Sequence, residues 1–487
     1  MTNIRPQVTW FSRQTRGNIV EEAISVLEKI GVIVDNEAAL AALAAAGARV
    51  DQPQRRVRIP AECVQRTLRT APRRVRVYDL QGKVAMDLGE NRLHFNPGSA
   101  ALRIFDAQTG DARTPLTQDL VRFAKLVDAL PNYAAQSTGL IPGDVPPQIA
   151  DRYRLYVTLL HSVKPVVTGT FRVDGFRAMR EMLCAVAGGP DRLREKPTAI
   201  FDCCPSPPLS WSNLTCQLLM DCAATGLPAE LVSMPLTGST APVTLAGAVV
   251  QHCAENLSGI VIHQLVGPGA PIIYGGSPAC FDMRYGTAPM GAMETMMLDG
   301  AGAEIGKRLG LPTHAYLALS DAKPVDFQAG METGMGAVIA ALSGINNVSG
   351  PGMLDFECCQ SLEKLVLDHE VCGMALRLAR GIALREEPIA LPVLEEGVQN
   401  REFLSLRHTR RWHREEVYLP NDVIDRQTLE EWRKNGRKDA FRRASERVER
   451  TLATHQPEPL PESLARELQR IMLAEARRYG MDELPGV

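Results

Sequence analysis

The chain has 487 residues, 45% of them hydrophobic, enough to bury one large core or two moderate ones. A formal net charge of -2 leaves no electrostatic footprint for nucleic acid or an anionic membrane surface. Eleven cysteines, an odd number with no Cys-x-x-Cys pair, form no disulfide framework in a chain this long and read as scattered reduced thiols.

The stretch Met1–Arg16 is polar and has no apolar signal core, and no run approaches twenty uninterrupted apolar residues. A cytoplasmic protein is expected. Over 17–50 the pattern is helical: Val20, Ala23, Ile24, Val26, Leu27 and Ile30 recur at helical spacing, and an Ala-rich helix follows at 37–46. Arg56–Pro60 and Arg74–Tyr78 alternate like strands, with a helix between them starting near Pro60. Residues 1–90 thus form an N-terminal α+β cap.

Beyond it, apolar strand runs alternate with helix-sized spacers at 93–96, 136–141, 165–170, 197–203, 229–235, 271–276, 312–319 and 345–350. Eight such repeats over 91–390 predict a (β/α)8 barrel of the TIM type, with an open doubly wound sheet as its structural rival. No Gly-x-Gly-x-x-Gly or Walker loop follows any strand, so a dinucleotide or phosphate site has no anchor. Residues 391–487 read as a helical extension, with Pro457–Pro461 a linker to a last helix over 462–479.

Substrates bind at the carboxyl ends of barrel strands, where the loops converge. Ser320–Glu332 follows one such strand and gathers Asp321, Lys323, Asp326, Gln328 and Glu332. Of these, Asp321, Lys323 and Gln328 are the candidate catalytic residues. Small and polar residues recur at the strand ends, among them Gly98, Thr170, Gly276 and Gly350, and together they suggest a wide, shallow mouth able to admit a large planar group. Tight turns recruit the same residue types. The aromatic residues Phe171, Tyr274, Phe281, Tyr285, Tyr316, Phe327 and Phe356 lie in or just past the strands. His314, alone in mid-strand, reads as a core group, and Glu255 as a partner of a neighbouring helix or subunit.

Ser320-Asp321-Ala-Lys323-x-x-Asp326-x-Gln328-Ala-Gly330-x-Glu332 resembles the signature loop of the trimethylamine methyltransferase family. Further stretches match in the same order: Pro235-Leu-Thr237-Gly238-Ser-Thr240-Ala-Pro242 with Ala254-Glu255-Asn256, Pro268-Gly269-Ala-Pro271-Ile-Ile-Tyr274-Gly275-Gly276, Asp282-Met-Arg284-x-Gly286, Ser361-x-Glu363 with Asp368-x-Glu370, and His408-Thr409-Arg410-x-Trp412-x-Arg414. The resemblance implies the barrel, and methyl transfer from a methylated amine to the cob(I)alamin of a separate corrinoid protein, with Gly98, Thr170, Gly276 and Gly350 facing the corrinoid. The founding trimethylamine enzymes carry pyrrolysine, whereas this sequence shows only the twenty standard residues. Non-pyrrolysine relatives act on quaternary amines such as glycine betaine, and the same substrate class is expected here, because a quaternary nitrogen leaves as a neutral amine without prior protonation.

A quaternary ammonium calls for aromatic faces or carboxylates, with Tyr274, Tyr285 and Phe327 the first choices and Glu357 beside them. Arg284 and Asn347 are candidates for a betaine carboxylate. No His–carboxylate pair is evident at the strand ends, so only weak pH dependence is expected between about 6 and 8, where histidine titrates. A homo-oligomer without a bound metal, nucleic acid or membrane is expected. Two other readings stay open: a metal-assisted lyase or hydrolase using Asp321, Asp326 and Glu332, and a non-catalytic betaine-binding subunit.

Overall fold

The computed structural model describes residues 5–486, so the first residues of the polar Met1–Arg16 stretch and the last residue of the extension lie outside the description. Eight parallel strands form one sheet: β1 His94–Asn96, β2 Gln136–Ser137, β3 Val166–Thr168, β4 Ala199–Cys203, β5 Ala229–Leu231, β6 Ile272–Gly276, β7 Thr313–Tyr316 and β8 Asn347–Ser349. From β2 to β8 each pairs with its neighbour in sequence, and β8 pairs with β1 through Asn347–His94 and Ser349–Asn96. A 2.8 Å bond from Ala134 N–H to the Phe95 carbonyl closes the ring between β2 and β1. The helices after these strands are α1 Thr117–Ala129, α2 Ala150–Leu160, α3 Gly175–Ala187, α4 Asn213–Thr225, α5 Leu245–Val266, α6 Met293–Arg308, α7 Phe327–Ser343 and α8 Leu362–Ala379. This is the (β/α)8 barrel that the spacing of apolar runs predicts.

The floor of the barrel is plugged from the amino-terminal side. The hairpin Val75–Tyr78 and Val84–Leu88 alternates, so Val75, Val77, Met86 and Leu88 face one way and pack on Ala135, Val167, Ile200 and Ile273 of the barrel interior. The N-terminal helices Arg13–Lys29 and Ala61–Thr70 cover α5. Among the described residues α5 alone is long and apolar enough to cross a membrane by composition, and it is a core helix, 78% buried across its most apolar window. The loop after β4 lends Ser210–Trp211 to the small N-terminal sheet, and the buried Trp211 indole donates to Ser258 Oγ at 2.9 Å.

On the other flank, Ala440–Thr454 packs against α8 and α1, and Glu462–Arg477 against α3 and α2. The last helix is pinned by the buried Arg152, which reaches Glu475 at 3.0 Å, Asp151 at 3.1 Å and Asp174 at 3.3 Å. Buried charges persist only with such partners.

Candidate active site

Barrel interiors are ordinarily filled with branched apolar side chains. Here only the floor is. Above it, two hydrogen-bonded contacts cross the interior between strands three positions apart in the ring. Tyr316 Oη on β7 donates to Asp202 Oδ2 on β4 at 3.3 Å, and Asn347 Nδ2 on β8 donates to both Glu230 oxygens on β5 at 2.9 and 3.2 Å. His314 Nε2 lies 3.3 Å from Glu230 Oε1 and 3.2 Å from Ser349 Oγ, which donates to Asn96 Oδ1 at 3.0 Å. The alternation of each strand aims these groups inward, so the upper barrel is a polar hole above an apolar floor.

Burial dominates the electrostatics of this hole. It pushes the carboxyls of Glu230 and Asp202 above the ordinary range, and their proximity to each other reinforces the rise at Glu230. Glu357, at the mouth, is pushed up to about 8 by burial, with the charges of Asp202 and Asp321 adding to it. His314 is pushed down to about 3 by the same loss of solvent. Asp202 and Glu230 share a carboxyl–carboxyl hydrogen bond, whereas Glu357 Oε1, His314 Nδ1, Asn347 Oδ1 and Arg154 Nε are buried without a hydrogen-bond partner among the described residues. Buried polar atoms are nearly always satisfied, so a cluster of orphans around one hole marks the place of a ligand.

Glu357 reaches the mouth through a strained turn. Asp355, Phe356 and Glu357 have φ of 51°, 55° and 65°, three successive side-chain-bearing residues in the left-handed region. Each costs about 1–2 kcal/mol, and such strain concentrates at functional sites. Lys323 braces the turn: its Nζ donates to the Asp321 carbonyl at 2.8 Å, pairs with Asp355 at 3.3 Å and sits 3.9 Å from the Phe356 ring centroid.

The 320–332 loop, expected to carry the chemistry, is instead a self-contained clamp. Asp321 accepts the Met290 and Gly291 N–H groups, both at 2.8 Å. Glu332 accepts from Ser320 Oγ at 2.6 Å, the Asp321 N–H at 2.9 Å and Gln328 Nε2 at 2.9 Å, and Asp326 caps α7 by accepting the Gln328 and Ala329 N–H groups. Asp321, Gln328, Asp326 and Glu332 therefore engage the chain's own groups. Among the described residues no cluster of three or more His, Cys, Asp or Glu is placed to hold a metal.

The first choices for an aromatic cage are also displaced. Tyr274 is 1% exposed and turned away from the hole, its hydroxyl 3.2 Å from His252 Nδ1 on α5. Tyr285 and Phe327 stand 77% and 83% exposed on the outer rim. Arg284 is folded onto Asp282 at the surface, at 3.0 and 2.6 Å. Tyr316 is the ring that borders the carboxyls, while Phe171 lies under the Arg154 guanidinium, and Asn347 and Glu357 are the expected binding residues that do reach the hole. Gly98, Gly276 and Gly350 form no open platform. A side chain at Gly276 would meet the Ser233 carbonyl and His252, one at Gly350 the Leu317 carbonyl, and one at Gly98 the Met353 side chain. Thr170 is half-buried beside Phe171. Asp202, Glu230 and Arg154 escaped the sequence reading. A lone carboxylate inside an apolar strand run, as in Phe201-Asp202-Cys203 and Ala229-Glu230-Leu231, is the signal that marks the first two.

A closed parallel barrel with a polar, proton-bearing hole at its carboxyl mouth defines a barrel enzyme of small-molecule chemistry. The profile of the trimethylamine methyltransferase (MTTB) family matches residues 1–480, and the chain belongs to that family of methyltransferases. It is 30% identical to the trimethylamine methyltransferase MttB of Desulfitobacterium hafniense DCB-2, over 97% of this chain and 95% of that one. It is 29% identical to the glycine betaine methyltransferase of Desulfitobacterium hafniense Y51, over 99% of this chain and all of that one. The monomethylamine methyltransferase MtmB of Methanosarcina barkeri superposes with a TM-score of 0.54 over 90% of this chain and 88% of its own, at 9% identity, a likeness of fold alone.

Proposed function

We propose that this methyltransferase moves a methyl group from a quaternary amine of the betaine class to a corrinoid presented by a partner protein. The observation that carries it is the polar hole itself: Asp202, Glu230 and Glu357 beside the Tyr316 ring, with a Glu357 oxygen left unpartnered in a buried space. A permanent cation supplies what that oxygen and ring face lack. The nitrogen needs no proton to depart, which suits a hole whose histidine is held neutral by burial.

The rim fits a docked macrocycle and its carrier. Met234, Val243, Met283, Tyr285, Phe327 and Met331 are exposed on the loops after β5, β6 and β7 and at the start of α7, an apolar collar around a polar hole. When bound there, the reduced corrinoid supplies a cobalt nucleophile. The chain's own residues do the rest: Tyr316 holds the ammonium group beside the carboxyls, and the collar excludes water. Methyl transfer removes the positive charge from nitrogen. A dry hole lined by protonated carboxyls holds a cation less firmly than ionised ones do, so it favours the transition state over the bound substrate. The expected homo-oligomer is supported by Ile382, Ile389, Leu391, Val398 and Leu404, all exposed on one segment.

The test is incubation with cob(I)alamin and a panel of betaines, following methylcobalamin by its visible spectrum. Betaine-dependent methylcobalamin supports the reading. Methylation from trimethylamine but from no quaternary amine overturns the substrate class, and no turnover with any methylated amine overturns the function.

A further inference from the structure

Arg154 projects from α2 toward the carboxyl ends of β2 and β3 and is 1% exposed. A guanidinium buried this deeply ordinarily has a carboxylate partner. This one has none among the described residues. Its Nη1 donates to the Thr138 carbonyl at 2.6 Å, its Cζ stacks 4.4 Å from the Phe171 ring centroid, and its Nε is buried without a partner. The nearest acidic residue in sequence, Asp151, is taken: Oδ1 holds the Arg152 side chain at 3.1 Å, and Oδ2 accepts the Phe171 N–H at 2.9 Å. Asp202 is close enough to interact electrostatically with Arg154 yet makes no ion pair with it, its carboxyl engaged by Tyr316 and by Glu230.

Phe171 is 38% exposed just past β3, and Arg154 is within electrostatic reach of Asp202, so the stacked pair borders the hole on its β2–β3 side. The site thus has two poles. Raised carboxyls and the Tyr316 ring form one, and a planar fork with an unused donor forms the other.

We infer that Arg154, stacked on Phe171, is the anchor for an anionic arm of the substrate, so that the hole selects zwitterions carrying a quaternary nitrogen at one end and a carboxylate at the other. This rests on the quaternary-amine reading and narrows it. The guanidinium gives the carboxylate charge-assisted hydrogen bonds in a setting where water does not compete. It also fixes which end of the ligand enters first, leaving the trimethylammonium among Tyr316, Asp202 and Glu357. Arg284, the cation that the sequence offers for this role, is already held by Asp282 at the surface.

The test is calorimetric binding to the whole chain, without corrinoid, of three ligands: glycine betaine, its methyl ester, and tetramethylammonium. The ester keeps the skeleton and the ammonium but loses the negative charge. The wild type should bind the acid at least about 30-fold more tightly than the ester, since charged hydrogen bonds contribute about 1.5–3 kcal/mol each. Arg154→Gln should erase that preference and leave tetramethylammonium binding within about threefold, while Arg154→Lys should restore only part of it. Equal wild-type affinity for acid and ester overturns the anchor even where Arg154→Gln fails to fold. So does an Arg154→Gln protein that still prefers the acid. A wild type that binds tetramethylammonium but not the betaine overturns the anchor and spares the quaternary-amine reading. A wild type that binds none of the three overturns both.

Discussion

His314 Nε2 lies 3.3 Å from Glu230 Oε1 in the barrel interior, an ion pair by distance that carries no charge. Burial drives the imidazole down to about 3 and the carboxyl well up, so at neutral pH both are neutral and the contact is a hydrogen bond. Coulomb attraction between opposite charges works against both shifts, but at complete burial the loss of solvent outweighs it.

Glu230→Gln should therefore be well tolerated, changing stability by less than about 1 kcal/mol, since an amide keeps the shape and the bonds of a protonated carboxyl. Glu230→Ala leaves the Asn347 amide N–H without a partner and should cost about 1–3 kcal/mol. Urea denaturation at pH 7 compares the two. Equal losses in both variants would mean that Glu230 is ionised.

The ring that meets the cation should be Tyr316. Tyr316→Leu should weaken binding of a quaternary ammonium about two- to thirtyfold, the range of a cation–π contact, and Tyr316→Phe should keep most of the affinity. Tyr285→Leu and Phe327→Leu should leave binding of the small ligand unchanged, because both rings stand on the outer rim. Calorimetry on the four variants separates a cage inside the barrel from one built on the rim.

Asp321 holds the turn ahead of α6 through the Met290 and Gly291 N–H groups. Its replacement by alanine strands two buried donors and should cost about 1–3 kcal/mol or more of stability, visible as a lower Tm with the substrate affinity of the folded fraction preserved. A full loss of turnover at unchanged Tm would return this carboxylate to the chemistry that the sequence suggests for it.

The barrel was legible because most strands lie in short apolar runs at helix-sized spacing, a pattern set by burial on both faces. The hole was not, because what defines it is contact between strands three positions apart in the ring. Asp202 and Tyr316 are 114 residues apart, and Asn347 and Glu230 are 117 apart. Nothing local announces that they meet. The Ser320–Glu332 loop misleads because its polar residues are taken up by the protein's own structure: Glu332 and Asp326 bond within the loop, Asp321 holds the Met290–Gly291 turn and Lys323 the Asp355 turn, so its density of charge reflects a clamp. His314 reads as a core group and is buried, yet it lines the polar hole with Nδ1 unpartnered, and Glu230 lies on another strand, so the His–carboxylate contact is invisible in the sequence. Arg154 sits in a helix where a basic residue looks solvated, and only its burial distinguishes it.

The rate should depend on pH through carboxyls and not through histidine. Glu357 is raised to about 8 and Asp202 is raised as well, both by burial, while His314 is held near 3 and does not titrate around neutrality. As pH rises from about 6 to about 9 the carboxyls ionise and attract the quaternary nitrogen more strongly. That attraction is largest for the bound cation and fades as the methyl group leaves, so it stabilises the substrate more than the transition state. KM and kcat should therefore fall together, with kcat/KM nearly flat. Stability carries the same sign. A carboxyl whose folded pKa lies above its unfolded value contributes stability below that unfolded value, and the contribution is lost as pH rises through about 8 for Glu357. Glu357→Gln should flatten both the kinetic and the melting profiles on the alkaline side. Steady-state rates at saturating corrinoid partner and melts across this range provide the check. A kcat that rises with pH, or a profile unchanged in both Glu357→Gln and Asp202→Asn, would remove the carboxyls from control of the reaction.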